Sequence, residues 1–183
     1  MLACKTLQSN AKINLGLNIV SKKLNGYHEI ESLIQEIDFY DEIEIKIFKG
    51  KGFTEIKSSG IYIDCDAKDN TCYKMIELVK KEYNIHNKID LKINKKIKTG
   101  AGLGGGSSNA ATILNYLDNF FDLKIPNSQK NSLCKKIGMD VPFFIDGSLQ
   151  YVEGMGEILS KIDNVFHSYC FVLVFPKISI ATQ

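Results

Sequence analysis

Residues 100–111 read GAGLGGGSSNAA, and five of the first seven residues in this run are glycine. The segment before the run alternates apolar and polar residues, which predicts a strand whose inner side carries Ile89, Leu91, Ile93 and in part Lys95. The segment after it has helical spacing from Ser107 onward, with an apolar face of Ala110, Ile113, Leu114, Leu117 and Phe121. The glycine run therefore joins a predicted strand to the first turn of a predicted helix.

A glycine run at this place is typical of an anion site. Glycine lacks a Cβ and accepts positive φ, so consecutive backbone N–H groups can close on a ligand. The helix that follows adds its unpaired N–H groups and the positive end of its dipole, and phosphate is the usual occupant of such a cradle. Ser107 and Ser108 add hydroxyls. The alternative is a plain strand-to-helix turn with Ser107 as the cap, for which one or two glycines would suffice.

Other phosphate-binding loops fit this run less well. Gly100, Gly102 and Gly105 satisfy the dinucleotide fingerprint G-x-G-x-x-G, and Asp122 lies at about the distance of its ribose ligand. That fingerprint normally opens its domain, whereas this run follows several predicted strands. A P-loop needs Gly-Lys-Ser/Thr after the glycines, and a protein-kinase loop needs a His-Arg-Asp element in a chain that has no arginine.

The rest of the chain predicts an α+β fold, because its strands and helices do not alternate strictly. Residues 11–20 alternate, with Lys12 and Asn14 on the polar side of the predicted strand. Further strands are predicted at 33–39 and 42–48, broken near Asp41, and at 61–65 and 169–175. Helices are predicted at 71–83 and at 127–137, the second with Ser128 as its cap.

Composition and charge argue against several functions. The 183 residues fit one large domain, or one domain and the start of a second, and a net charge of +2 is too small to favour nucleic acid or an anionic membrane. All 23 basic residues are lysines, so a phosphate would be held by lysine, hydroxyl and backbone N–H groups. Five cysteines without a C-x-x-C pair argue against a zinc site and a disulfide framework. With no signal peptide and no apolar run of about 18 residues, these features predict a soluble cytoplasmic protein.

Residues 100–111 resemble the ATP-binding motif of the GHMP kinases, the family of galactokinase, homoserine kinase and mevalonate kinase. Three further segments resemble one branch of that family, in the same order along the chain. These segments are AKINL at 11–15 continuing through NGYHE at 25–29, GMDVPFF at 138–144, and GMGE at 154–157 followed by PKISIAT at 176–182. Members of this branch phosphorylate a cytidine-diphosphate-linked methylerythritol in the non-mevalonate isoprenoid pathway. The resemblance covers nearly the whole chain, and four collinear motifs are more specific than any one.

The resemblance implies a two-domain α+β kinase whose N-terminal domain is similar to the second domain of ribosomal protein S5. It implies an ATP-binding domain at 1–165 and the beginning of a C-terminal domain at 166–183. The implied reaction transfers the γ-phosphoryl group of ATP, accompanied by Mg²⁺, to the 2-hydroxyl of the cytidine-linked substrate, with no nucleic-acid or membrane partner. The family's C-terminal glycine-rich motif does not occur in these residues. We therefore expect the remainder of that domain to be absent and the chain alone to have little activity.

Two other readings stay open from the sequence. The chain could be a different GHMP kinase, acting on homoserine or mevalonate, or a non-catalytic nucleotide-binding remnant. The ligands of a metal ion and the oligomeric state cannot be assigned from the residues.

The resemblance also implies roles for two charged residues. Lys12, which by residue type alone fits a solvated strand lysine, would stabilise charge on the transferring phosphoryl group. Asp140, otherwise a turn aspartate, would take the proton from the substrate hydroxyl. A carboxylate in so apolar a stretch needs a partner, and Lys12 would be that partner.

The remaining implied contacts are with substrate and nucleotide. Tyr27 would stack on the cytosine and His28 would read its edge, while Asn14 and Thr182 would lie at the substrate, Thr182 at its methylerythritol end. Asn70 would either contact the adenine or simply cap the helix that follows it. The implied ATP contacts of the glycine run are Thr99, Gly100, Ala101, Gly102, Leu103, Gly104, Gly105, Gly106, Ser107, Ser108 and Asn109.

Two positions depart from the family pattern. Lys98-Thr99 stands where the family usually has proline followed by a variable residue, so the run loses a rigid start. Gly16 replaces a usually bulky residue on the Lys12 side of its strand.

Overall fold

The computed structural model describes residues 1–22, 28–62, 65–166 and 168–175. In these residues the elements are, in chain order, β1 (Ala3–Lys22), β2 (His28–Lys51), β3 (Glu55–Gly60), α1 (Thr71–Glu82), β4 (Asn87–Lys95), α2 (Gly105–Phe121), α3 (Asn127–Ile137), α4 (Phe143–Asp146), β5 (Leu149–Glu153) and β6 (Ile158–Lys161). A short 3-10 turn, Ala67–Asp69, leads into α1. The irregular order of strands and helices confirms the α+β prediction.

The strands form one sheet built on the long strand β2. Strand β1 pairs antiparallel with β2 from Ala3, opposite Ile47, to Lys22, opposite His28. On its other edge β2 pairs with β4 through residues 42–51 and with β5 through residues 32–35. Strand β3 lies parallel to β4, and α1 forms the crossover between them. This arrangement places the end of β4, and the glycine run after it, beside the middle of β1.

The core lies between the sheet and the helices. Alternate residues of β2 and β4, such as Ile43, Ile45 and Ile93, are fully buried together with Met75 of α1 and Leu114 of α2. Burying one such side chain contributes about 1.5–3 kcal/mol, so this face holds α1 and α2 on the sheet. Among the helices of the described residues, none is long and apolar enough to cross a membrane.

The prediction of two strands broken near Asp41 is wrong. Strand β2 runs through this point without a break, and a register shift opposite Asn10 and Ala11 absorbs two extra residues between Ile37 and Tyr40. Asp41 pairs with Ser9 across the ladder and is fully buried. An aspartate is normally a poor strand residue, but this one is neutralised by a lysine from β4, as described below.

Two other predicted strands also differ. The strand that pairs with β4 is the earlier Glu55–Gly60, and Ile61 forms a bend whose N–H still donates to the carbonyl oxygen of Lys95 at 2.9 Å. Residues 63 and 64 of the strand expected at 61–65 lie outside the described residues. Residues 169–175, expected to be a strand, are not paired as one in the described part of the chain, and Val172 is 86% exposed. A strand needs a neighbour for its backbone hydrogen bonds, which an apolar run cannot supply by itself. The helices expected at 71–83 and 127–137 are confirmed as α1 and α3, although the N-cap position of α3 is Pro126, without a side-chain capping hydrogen bond, and not Ser128.

Candidate active site

A cavity of about 370 Å³ opens where β4 ends and where α1 and α2 begin. Its volume is that of a small-molecule site. Every residue of the predicted nucleotide set except Ser108 lines this cavity, and so does Asp140. Residues that were not in that set also line it, and these are Cys65, Asp69, Thr71, Lys95, Ile97 and Lys98.

The backbone of the glycine run has the form expected of an anion cradle. Gly100, Gly102 and Gly104 have φ of 73°, 73° and 68°, in the left-handed region that favours glycine. Left-handed residues that alternate with other conformations turn successive backbone N–H groups toward one point, which makes a concave site for an anion.

Helix α2 starts two residues earlier than predicted. Its N-cap is Gly104, for which no side chain of the described residues makes a capping hydrogen bond, so the alternative of a plain turn capped by Ser107 does not hold. The first-turn N–H groups of this 17-residue helix and the positive end of its dipole are therefore available to a ligand in the cavity.

Packing explains two of the glycines. A Cβ built on Gly104 would lie 2.7 Å from Cζ of Phe144, and one built on Gly105 would lie 2.8 Å from Cγ2 of Ile97. These glycines let α2 approach its neighbours closely, a reason that the sequence did not reveal. At Gly106 the nearest atoms to such a Cβ are those of Thr71, 3.5 Å or more away, so a side chain has room there.

The first turn of α1 forms a second wall of the cavity. Asn70 caps α1 by accepting a hydrogen bond from the N–H of Cys72 at 2.9 Å, which confirms the capping interpretation of Asn70. The hydroxyl of Thr71 donates to the carbonyl oxygen of Gly106 at 2.7 Å. This bond fastens the N-terminus of α1 to that of α2, so two helix dipoles present their positive ends to the same space.

A buried ion pair lies beneath the glycine run, and sequence reasoning missed it. The Lys95 ammonium bonds to the Asp41 carboxylate, and the two side chains are 3% and 0% exposed. The second oxygen of Asp41 accepts the N–H groups of Lys96 at 2.7 Å and Ile97 at 2.9 Å. Asp41 thereby holds the backbone just before the run, where the family's proline is missing. The available signal was that Lys95 continues the apolar side of its strand.

Lys12 and Asp140 meet at the edge of the cavity. The Nζ of Lys12 lies 3.9 Å from Oδ2 of Asp140, and the two side chains are 8% and 56% exposed. The backbone N–H of Lys12 donates to the carbonyl oxygen of Leu103 at 3.0 Å, which joins β1 to the glycine run. The predicted partnership is thus present, but Asp140 is half exposed and not buried as the apolar stretch around it suggested.

The ammonium group of Lys12 makes its short contact elsewhere. It donates to Oδ1 of Asn14 at 2.7 Å, a bond much shorter than its distance to Asp140. Burial lowers the pKa of Lys12 below its ordinary 10.5, and the charge of Asp140 opposes that shift. The site therefore combines a desolvated cation with an accessible carboxylate.

Ser108 faces the protein interior. Its hydroxyl lies 2.7 Å from that of Ser9, and Ser9 also donates to Oδ1 of Asn109 at 2.9 Å. All three residues are at least 97% buried, so this cluster fastens the first turn of α2 to β1. A hydroxyl at 108 was expected to bind nucleotide, whereas its geometry is that of a structural contact.

The predicted substrate residues are only partly placed. Tyr27 and Thr182 lie outside the described residues. His28 is exposed at the first position of β2, opposite Lys22, and it is not among the residues that line the cavity. Asn14 stands beside Lys12, as the alternation of β1 predicted. Within the described ranges, no group of three or more His, Cys, Asp or Glu side chains is placed to hold a metal ion.

Known proteins share both the sequence and the fold. Residues 70–148 match the family model described as GHMP kinases N terminal domain. The chain is 41% identical over 177 residues to the 4-diphosphocytidyl-2-C-methyl-D-erythritol kinase of Sulfurihydrogenibium sp. (strain YO3AOP1), which covers 97% of this chain and 62% of that protein. It is 40% identical over 182 residues to the protein of the same name from Clostridium botulinum (strain Kyoto / Type A2), and this match covers 96% of this chain and 61% of that protein. The chain thus spans about three-fifths of the length of these relatives.

A crystal structure of a 4-(cytidine 5'-diphospho)-2C-methyl-D-erythritol kinase superposes with a TM-score of 0.74 at 28% sequence identity, covering 86% of this chain and 55% of that one. The glycine run with its left-handed residues, the mixed sheet and these relatives all agree, and the chain belongs to the GHMP kinase family, whose N-terminal domain it contains.

Proposed function

We propose that this chain provides the nucleotide site and the catalytic pair of a kinase that transfers the γ-phosphoryl group of ATP to the 2-hydroxyl of 4-diphosphocytidyl-2-C-methyl-D-erythritol. The observation that carries the proposal is the position of Lys12 and Asp140, 3.9 Å apart, at the edge of a cavity formed by two helix N-termini. The relatives bearing that kinase name support the choice of substrate.

The cavity suits the phosphates of a nucleotide. Backbone N–H groups of the glycine run and of the first turn of α2 supply donors, and the positive ends of two helix dipoles favour negative charge. The ammonium group of Lys95, already bonded to Asp41, lies beside Gly105, where a Cβ would lie 3.2 Å from its Nζ, and it offers a further N–H donor to a phosphate oxygen. Without arginine in the chain, these groups replace the two-pronged grip that a guanidinium would provide.

Phosphoryl transfer asks the protein mainly for position and for stabilisation of charge. Asp140 can accept the proton of a substrate hydroxyl. Its side chain is half exposed, and among the described residues its ion-pair partner is Lys12, at 3.9 Å. Lys12, held in a desolvated position, stabilises the negative charge that develops on the transferred group. The exposure of Asp140 allows a substrate to reach it from outside the cavity.

A magnesium ion accompanies ATP in such reactions and neutralises phosphate charge when bound. Among the described residues, the carboxylates that line the cavity are Asp69 and Asp140, so an ion that arrives with the nucleotide would find at most these two side chains there. Phosphate oxygens and water would then supply most of its ligands.

We also propose that residues 1–165 form the ATP-binding domain and that residues 166–183 belong to a C-terminal domain. The last described strand, β6, ends at Lys161, and beyond it Val172 and Val174 are 86% and 82% exposed. Apolar side chains exposed in a row fit a segment that packs on further protein.

The test is an assay for ADP and phosphorylated product with ATP and the cytidine substrate, read by ³¹P NMR. It is run on this chain and on a fusion in which the remaining C-terminal part of the Clostridium botulinum relative follows residue 183. Turnover of the cytidine substrate, with homoserine and mevalonate unreactive, supports the proposal. ATP binding without turnover in both proteins would instead identify a non-catalytic nucleotide-binding protein, and preference for homoserine or mevalonate would identify a different kinase.

A further inference from the structure

Ser32 lies on β2, the strand next to β1 in the sheet, opposite Leu17, and is 2% exposed. Three hydrogen bonds of 2.7 Å run in series from Lys12 to the backbone. The Nζ of Lys12 donates to Oδ1 of Asn14, Nδ2 of Asn14 donates to Oγ of Ser32, and that hydroxyl donates to the carbonyl oxygen of Gly16. The series crosses from β1 to β2 and back, beside the register shift between Asn14 and Gly16.

The direction of this series is set at its far end. The carbonyl oxygen of Gly16 can only accept, so the one hydroxyl proton of Ser32 must point to it. The oxygen of Ser32 is then an acceptor, and only the NH₂ side of the Asn14 amide can bond to it. The amide oxygen is thereby turned toward Lys12, where it accepts from the ammonium group. The orientation of Asn14 follows from a backbone carbonyl and needs no assumption about the amide.

We propose that Ser32 is a positioning residue for Lys12: through Asn14 it holds the ammonium group charged and aligned beside Asp140 without a direct bond between the two. The catalytic meaning of this placement rests on the function proposed above. The placement itself is a property of the folded chain.

The geometry explains how a lysine and an aspartate can stand together and still serve different roles. If Lys12 bonded to Asp140 directly, the carboxylate would lose basicity toward a substrate hydroxyl. At 3.9 Å the ammonium group attracts the carboxylate electrostatically, while the carboxylate oxygens remain accessible as proton acceptors. Asn14 supplies the short hydrogen bond that a buried ammonium group needs.

Among the described residues, the charged neighbour of Lys12 besides Asp140 is Glu36, its ladder partner on β2, whose carboxylate accepts the N–H of Ser148 at 2.7 Å. Asn14 on β1, Ser32 on β2, the backbone at Gly104 and the ring of Phe144 on α4 carry no charge. Among the described residues, Asp140, between α3 and α4, is the ion-pair partner of the ammonium group at 3.9 Å, and its charge acts on the pKa of Lys12. A change in the titration of Lys12 on altering Ser32 therefore reports on Asn14 and not on a new charge.

The experiment follows the Lys12 side chain by NMR in protein carrying ¹³Cε-lysine, with its signal assigned by its loss in Lys12→Arg. In Ser32→Ala the amide of Asn14 loses its anchor, so the charged lysine loses an aligned acceptor and its titration midpoint shifts below that of wild type. Ser32→Thr keeps the hydroxyl and is expected to titrate like wild type. Ser58→Ala, at an exposed serine of β3, serves as the control and leaves the midpoint unchanged.

An unchanged midpoint in Ser32→Ala, or an equal shift in Ser32→Thr, would overturn the proposal. If Ser32→Ala does not fold, hydrogen exchange in the wild-type protein still tests the proposal. The side-chain amide protons of Asn14 should exchange with solvent more slowly than those of the exposed Asn119, and equal exchange rates would also overturn it. None of these measurements needs ATP or turnover, so failure of the kinase assay would count against the proposed function and leave this inference standing.

Discussion

Replacing two glycines that lie two residues apart should have very different effects on stability. The pair is Gly104→Ala and Gly106→Ala, both in the run that lines the cavity. Gly104 has φ of 68°, and its added methyl would lie 2.7 and 2.9 Å from ring atoms of Phe144. Gly106 lies inside α2, and its methyl would find its nearest neighbour at 3.5 Å.

The magnitudes follow from these distances. A left-handed alanine costs about 1–2 kcal/mol, and forcing a methyl against a packed ring costs about 1–3 kcal/mol more, so Gly104→Ala should destabilise the fold by about 2–5 kcal/mol. Alanine is a better helix residue than glycine by up to about 1 kcal/mol, so Gly106→Ala should be neutral or slightly stabilising. In a chain of this size the first change corresponds to a melting temperature lower by about 10 °C.

Urea denaturation and calorimetry measure both variants. Adding Phe144→Leu, which removes the ring atoms that the methyl meets, should recover part of the loss in Gly104→Ala, with a coupling energy of about 1 kcal/mol or more. If Gly104→Ala unfolds within about 0.5 kcal/mol of Gly106→Ala, the packing described for this run is wrong. Gly106→Ala also tests ATP binding apart from stability. Its methyl lies at the cavity, so the variant should stay folded and bind ATP more weakly than wild type.

Three further changes test the site. Asp140→Asn removes the proposed base while preserving size, so turnover of the fusion protein should fall by orders of magnitude while ATP affinity is retained. Asp122→Asn, at an exposed aspartate, serves as the control. Turnover of Asp140→Asn within about tenfold of wild type would exclude the role of Asp140 as the base. Burial lowers the pKa of Lys12, so between that lowered pKa and 10.5 the folded state binds fewer protons than the unfolded state. The stability of the wild type relative to Lys12→Met should therefore rise as pH rises through that window. Urea titrations across pH measure this, and a stability difference that does not change with pH would contradict it. Replacing Tyr27 and His28 with alanine should raise KM for the cytidine substrate about ten- to a hundredfold and leave KM for ATP nearly unchanged, since a stacked base contributes about 1–3 kcal/mol; equal increases would indicate a general loss of folding.

Local patterns predicted several elements correctly because their signals lie within a few residues. Strand β4 and helices α1 and α3 have the periodicities expected at their positions. The break expected at Asp41 was wrong for the complementary reason. A charged residue in a strand looks like a boundary until its partner is known, and that partner, Lys95, is 54 positions further along the chain.

The sequence by itself determined the α+β class, the family, the place of the glycine run between a strand and a helix, and the pairing of Lys12 with Asp140. The class and the glycine run rest on periodicity and on motifs, which are properties of short segments, and the pairing rests on the resemblance to the family. Only the tertiary structure decided that Gly104 and Gly105 serve packing as well as the cavity, and that Ser108 turns inward to Ser9, 99 positions away. It also decided that the short bond of Lys12 goes to Asn14 and is directed by Ser32. A hydrogen bond or a methyl-sized gap depends on where distant strands and helices come to rest, and no local pattern encodes a distance of a few ångströms between segments that are far apart in the chain.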